Sequence, residues 1–325
     1  MLWSRPGARS VASGATDDAL DDGLLQGLQR TVSSQVTQHI SERLQKKYRD
    51  MRAVDFSRQV GEENLARLLS LQRGVGTAWM DVLPTKETWE LDDATVKSAL
   101  RFQLGVSPGP PSHSFYKCPC DYQGSDAHHA MTCDKLSGLW TQRHDQIQSA
   151  VQSGARAAGH ASSIEPQERH LKNARYGDEG YGKRGDVLVS TVDDVLNVDV
   201  VVTRPASKTH RCAASRTPGA AAQVAERNKR RLHAHGGTRG FKFVPFAMET
   251  YARLGNAAVK VLNAWADDAA GSGMFSREAY LTWMKRELSV HLVSGNARIF
   301  RRFVGVLTRG IGERFVEGMD VPVLD

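Results

Sequence analysis

Two carboxylates set among valines are the first residues in this chain that could do chemistry. Residues 183–202 read Lys-Arg-Gly-Asp-Val-Leu-Val-Ser-Thr-Val-Asp-Asp-Val-Leu-Asn-Val-Asp-Val-Val-Val, with Asp186 and Asp199 inside the apolar runs. Acids are costly in such company unless something positive lies between them. The alternation predicts two short strands joined by an acidic turn, with Asp193 and Asp194 as turn residues. With the turn centred on that pair, Asp199 faces Leu188, and Asp186 shares the same face. The two acids are then diagonal neighbours, roughly 5.5–8 Å apart at Cβ, a span that a divalent metal can bridge. Val187, Val189, Val198, Val200 and Val202 fall on the other face and form a core side. The competing reading makes Asp186 a strand-start residue and pairs Asp199 with an arginine.

Phosphodiester hydrolysis also needs a group that positions water and neutralises charge at phosphorus. A lysine two residues after the second acid would serve, but that position is Val201. The helical stretch 219–233 offers a replacement. Ala222, Ala225, Lys229 and Leu232 run along one stripe, where small alanines let the helix lie close to the sheet and Lys229 reach the acids. Glu165 upstream is a candidate further metal ligand; its plainer reading is an exposed acid before Pro166.

A second constellation lies upstream. Cys118-Pro-Cys120, His128-His129 and Cys133 place three thiols and two imidazoles in one short segment. Zn²⁺ takes four tetrahedral nitrogen or sulfur ligands, and such a loop could supply them with either histidine. The Cys-x-Cys gap is tighter than the usual two to four residues. The alternative is ordinary buried thiols beside surface histidines.

The elements around these residues follow from pattern. Residues 1–20 are rich in Gly, Ser, Ala and Asp and read as disordered. Residues 21–111 read as helical, with helices over 21–52, 61–73 and 91–104 and Trp79 as a buried anchor. The Pro-Gly-Pro-Pro linker at 108–111 precedes the zinc segment and a following helix, together spanning 112–155. The paired strands, the Ala/Arg-rich helix and a third strand over 241–246, with Pro245 near its end or on a sheet edge, make a core over 160–255. Residues 152–163 read as small and flexible, and 256–325 as a helical tail with separate helices over 276–293 and 296–310. The fold class is α+β, a small mixed sheet flanked by helices.

Composition narrows the partners. The chain has 325 residues, a hydrophobic fraction of 40% and a net charge of +7, enough for a packed core and a moderate bias toward polyanions. Three of the four cysteines cluster, which fits a reducing compartment better than a disulfide framework. No apolar run approaches the roughly 18–20 residues of a membrane span. The start Met-Leu-Trp-Ser-Arg-Pro lacks the apolar core of a secretory signal, so the expected location is nuclear or cytoplasmic.

These motifs, in this order, resemble a known family. A cysteine–histidine knuckle, Arg143-His144-Asp145, Arg184-Gly185-Asp186, Asp199-Val200-Val201, a basic Ala-rich helix and Phe243-Val-Pro-Phe246 succeed one another. The series is similar to the C-terminal region of reverse-transcriptase polyproteins from site-specific non-LTR retrotransposons. There a zinc knuckle precedes a restriction-endonuclease-like domain of the PD-(D/E)XK type. The likeness covers residues 73–310, with motif-grade residues over 115–250. It implies Cys118, Cys120, His129 and Cys133 as structural Zn²⁺ ligands, with His129-Ala-Met-Thr-Cys133 matching better than His128 would. It implies Asp186 and Asp199 as Mg²⁺ ligands, Lys229 as the displaced lysine, and Arg143 and His144 as nucleic-acid contacts. Arg184, Arg227, Arg230 and Arg231 are further candidate contacts to DNA, with RNA as an alternative partner. Gly185 replaces the family's proline, which loosens the backbone, and no Tyr-x-Asp-Asp polymerase motif is present.

Overall fold

The computed structural model describes residues 38–72, 75–106, 120, 127–164, 185–234 and 241–315. Cys118, Glu165, Arg184, the disordered stretch expected over 1–20 and the linker at 108–111 lie outside them. Helix α1 covers 38–53, followed by α2 (Arg58–Leu71), α3 (Asp93–Leu104) and the short α4 (Ala127–Ala130). A sheet-bearing unit comes next, in the order α5 (Ser137–Ala157), β1 (Ala161–Ile164), β2 (Val187–Ser190), β3 (Val195–Thr203), α6 (Arg211–Ala214), α7 (Ala220–Ala234) and β4 (Lys242–Glu249). Two helices close the chain, α8 (Asn256–Gly271) and α9 (Arg277–Phe315). This is the expected α+β class, one small mixed sheet among helices.

Local chemistry sets several of these boundaries. Asp92 caps α3 by accepting from the Thr95 N–H at 2.7 Å. Gly105 ends that helix in the left-handed region, with φ 69°. Two buried glutamates cap the helices beside the sheet. Glu249, at the end of β4, accepts from the N–H groups of Ala221 and Ala222 at the start of α7. Glu226 accepts from Ala257 N–H at the start of α8. Burial pushes both carboxyls up, against the backbone donors that favour their charged forms.

The strands run in the spatial order β1-β2-β3-β4. The first three form an antiparallel meander, and β4 joins β3 in parallel through α7. The β2–β3 register pairs Val187 with Val198 and Ser190 with Val195. The turn therefore sits one residue earlier than expected, over 191–194, closed by Thr191 N–H donating to Asp194 O at 2.9 Å. The ladder ends at Val187–Val198: the Asp186 N–H bonds to Val198 O, so Asp186 leaves the regular register, and its carboxylate turns to α5 instead of sharing the Asp199 face as expected. Pro245 lies within β4, an edge strand, where the missing donor is tolerated.

One sheet face carries Val187, Val189, Leu196, Val198 and Val200 and packs on Ile147 and Val151 of α5, Trp265 of α8 and Met284 and Leu288 of α9. The other face carries Asn197 and Asp199 and is covered by α7. Three expectations need correction. Residues 152–163 are not a flexible stretch: α5 runs through to Ala157, and Ala161–Ile164 form edge strand β1, paired with β2. The C-terminal segments are one continuous helix, α9, across Gly295. Nor are residues 256 onward a detached tail, since α8 and α9 supply part of the main core.

Candidate functional site

Asp186 stands where β2 meets β3. Its N–H donates to Val198 O at 2.8 Å, and its Oδ2 accepts from Val200 N–H at 2.6 Å. The carboxylate thus replaces a carbonyl at the end of the ladder, holding the strands where they begin to part. Helix α5 supplies the rest of its surroundings. His144 Nε2 lies 3.2 Å from the same Oδ2 and 3.2 Å from Val200 O. One turn later, Gln148 Nε2 donates to Asp186 O at 2.7 Å. The hydrogen bond to Asp186 raises the His144 imidazole to about 9, against the opposing effect of burial. Oδ1 of Asp186 has no protein partner among the described residues, and the side chain keeps about a fifth of its surface exposed.

Asp199 is 3% exposed and meets α7. Lys229 Nζ lies 2.7 Å from its Oδ1, and His233 Nε2 lies 3.0 Å from its Oδ2. Burial pushes the Asp199 carboxyl up, but the His233 and Lys229 hydrogen bonds outweigh it and hold the group below its ordinary range. Lys229 and His233 are four residues apart, one turn along the same helix face. The His233 ring stacks on Phe243 of β4, centroids 3.9 Å apart. The two acids are therefore neighbours in the sheet but gripped from opposite layers, Asp186 by α5 and Asp199 by α7.

Below them lies Asn197, only 1% exposed, with neither end of its amide hydrogen-bonded. A Cβ at Gly185 would overlap the Asn197 side chain. Glycine before the first acid is thus a matter of space: the backbone passes over a buried amide that leaves no room for a side chain.

The helix stripe differs in phase from expectation. Ala221 and Ala222 are buried, and Lys229 reaches Asp199 as the stripe predicts, but Leu232 faces solvent. His233 takes the next inward position. Its signal in the sequence was its spacing of four from Lys229. Arg227, Arg230 and Arg231 lie on the exposed face of the same helix.

Arg143 departs from expectation. At 4% exposure it is a core residue, donating to Asn296 Oδ1 at 2.8 Å and touching Met131 Sδ at 3.5 Å. Burial and the nearby Arg204 lower its guanidinium to about 10. So placed, it has no surface to offer nucleic acid. His144 likewise faces Asp186, so it belongs to the carboxylate site.

The cysteine cluster assembles on α4 and its flanks. The ligand atoms of Cys120, His129 and Cys133 lie within 4.8 Å of one another, a group that could hold a metal ion. Cys120 Sγ is 3.2 Å from His129 Nε2. His128 turns the other way, with Nδ1 3.2 Å from the Tyr251 hydroxyl, so the geometry selects His129. Ala130, Met131 and Cys133 pack with Phe102, Tyr251, Ile299, Phe300 and Phe303, which seats the cluster on α3 and α9. Arg204, just past β3, ties it to the sheet by donating to Met131 O and lying over the Trp140 ring.

Among the described residues, no helix is long and apolar enough to cross a membrane. No protein-family model matches the chain, and no curated protein shows significant similarity to it.

Proposed function

We propose that this chain is a Mg²⁺-dependent DNA endonuclease of the restriction-endonuclease-like type, akin to the nuclease region of non-LTR retrotransposon polyproteins, and that it nicks target DNA. The observation that carries this reading is the lysine from the crossover helix seated on the Asp199 carboxylate, one residue along β3 from the Val200 N–H that binds the Asp186 carboxylate. The helix–three-strand–helix–strand order, with a meander and a parallel fourth strand, supports it.

The donor set fits a hard divalent cation. Asp199 is held ionised, and Asp186 has Oδ1 without a partner among the described residues and part of its surface open. Asp186 and Asp199 would hold the ion, which would supply Lewis-acid polarisation and an activated water at the scissile phosphate. Lys229 supplies fixed positive charge beside that position, where charge builds on phosphorus oxygens. His144 fixes the Asp186 carboxylate from α5. The exposed arginines of α7 lie beside the site and would meet phosphates flanking the cut. In this reading the Cys120–His129–Cys133 cluster takes Zn²⁺, since two thiolates and an imidazole suit that ion; the family resemblance implies Cys118, outside the described residues, as the fourth ligand. The place of action is nuclear or cytoplasmic.

A second reading has its own support. Both oxygens of Asp199 are already satisfied by Lys229 and His233, as in a site that balances its charge without a metal. The chain would then be a zinc-containing nucleic-acid-binding protein without cleavage. Supercoiled plasmid incubated with the full chain separates the two. The nuclease gives Mg²⁺-dependent nicking that falls about 10²–10³-fold in Asp199→Asn and Lys229→Ala, while salt-sensitive binding persists. Binding with no Mg²⁺-dependent nicking in the unaltered protein establishes the second reading.

A further inference from the structure

We infer that His233 is a positioning residue of the carboxylate site, one that fixes the Asp199 carboxylate for a divalent cation; this rests on the nuclease reading. Three observations carry it. His233 Nε2 lies 3.0 Å from Asp199 Oδ2 while Lys229 occupies Oδ1, so the carboxylate is held at both ends. Its side chain is only 6% exposed, and the ring lies flat on Phe243 at 3.9 Å and 19°. Residues 229 and 233 sit one turn apart on α7, so a single rigid helix presents both donors.

The physical consequence concerns rotation. A carboxylate held only at Oδ1 turns about its Cβ–Cγ bond, because the lysine ammonium follows it on a flexible stem. The imidazole offers one donor at a fixed point on a stacked ring. With both ends held, the plane of the Asp199 carboxylate is set, and its remaining lone pairs keep one direction. Partners of metal-binding carboxylates act this way, and their loss typically weakens metal affinity by about 10–100-fold. His233 touches neither substrate nor reacting atoms in this scheme. It acts through Asp199.

The test uses the full chain with His233→Phe, which retains the stacking on Phe243 and removes the donor, and His233→Gln, which restores an N–H near the same point. Mn²⁺ binding is followed by electron paramagnetic resonance, with Asp199→Asn as the control for site binding. DNA affinity without added Mg²⁺ or Mn²⁺ and thermal melting are measured alongside. His233→Phe is expected to raise the half-saturating Mn²⁺ concentration about tenfold. His233→Gln should recover most of that loss, with DNA affinity unchanged in both and melting showing both chains folded at the assay temperature. Should phenylalanine unfold the chain, His233→Asn, too short to reach Oδ2, takes its place. Mn²⁺ affinity unchanged in His233→Phe overturns the inference, as does glutamine performing no better than phenylalanine. If the unaltered protein binds Mn²⁺ no better than Asp199→Asn and does not nick DNA, the nuclease reading itself falls and takes this role with it. If it binds and nicks while His233→Phe matches it, only the positioning role is lost.

Discussion

Gly185 and Asn197 illustrate how one residue's size dictates another's. The Asn197 amide is buried without partners, normally a cost of about 1–3 kcal/mol, and Gly185 is the space it occupies. Gly185→Ala is therefore expected to destabilise the chain by about 1–3 kcal/mol through overpacking. Asn197→Ala, placed in the same chain, should recover most of that loss. Urea unfolding of both single variants and the double variant measures the coupling, and strictly additive effects would show that the two side chains do not compete for space. Arg143 makes a related point. Its guanidinium lies among Asn296, Met131 and α9, and a Cβ at Gly295 would fall 2.5 Å from its Cγ. The pair Arg143-His144 reads from sequence as two nucleic-acid contacts, yet neighbouring helix positions point about 100° apart. One goes to the core and the other to Asp186. Arg143→Ala is expected to cost about 1–3 kcal/mol by leaving Asn296 Oδ1 without its donor in the core. A variant as stable as the parent, but weak in DNA binding, would return Arg143 to the surface.

At the scale of elements, what the sequence revealed tracks what is local. The valine alternation of β2 and β3 is a local period, and their core face was legible from it. Which residues turn was less so. Val192 looks like strand but stands 98% exposed at the hairpin tip, because Thr191 and Asp194 close the loop around it. Strand β1 reads Ala-Ser-Ser-Ile, with no apolar alternation, and its pairing to β2 comes from tertiary context. The division expected between helices 276–293 and 296–310 falls at Ser294-Gly295. Here Gly295 serves close packing against Arg143, and α9 runs through it. Helix α7 was legible as a basic element with Lys229 inward, but the position after Lys229 was assigned to Leu232. Apolar character argued for burial, whereas the acid it faces favours His233. The outer face of the same helix gives a prediction at this scale. Arg227→Ala, Arg230→Ala and Arg231→Ala combined should leave melting nearly unchanged and reduce the salt dependence of DNA binding by up to about three counterions. An unaltered salt slope would move the DNA path off α7. The cysteine cluster gives another. Because Cys133 and His129 pack on Phe303 and its neighbours, chelation is expected to loosen the end of α9 along with the cluster. Hydrogen exchange at residues 299–304 that is indifferent to zinc would separate the two.

In the whole molecule, α9 is the member that the other parts share. Met284, Leu288 and Leu292 enter the sheet core, Ile299, Phe300 and Phe303 meet the cysteine cluster, and Val290, Val293 and Ala297 pack with Trp79 and Ala99 of the N-terminal part. The site depends on this spine indirectly, since α5, which presents His144 to Asp186, lies against α9. Glu287 is the polar fastening of that assembly. It accepts from Lys86 Nζ and Trp89 Nε1, both at 2.6 Å, and pairs with His291 one turn along at 3.2 Å. Burial pushes its carboxyl up, but the His291, Lys86 and Trp89 bonds prevail and bring it down to about 2 from an ordinary 4.5. A depressed folded-state value fixes the sign of the linkage. The stability contributed by Glu287 is complete above its unfolded value and drains away as pH falls from about 4.5 toward 2. The gap in unfolding free energy between the parent chain and Glu287→Gln should therefore shrink by on the order of 2–3 kcal/mol between neutral pH and the acid end of that window. Other carboxylates titrate equally in both chains and cancel in the difference. Urea titrations at matched pH values measure it. A gap that stays constant through the acid range would mean that the Lys86–Glu287–Trp89 contact does not fasten α9 to the N-terminal part, and that the apolar packing around Trp79 holds them together alone.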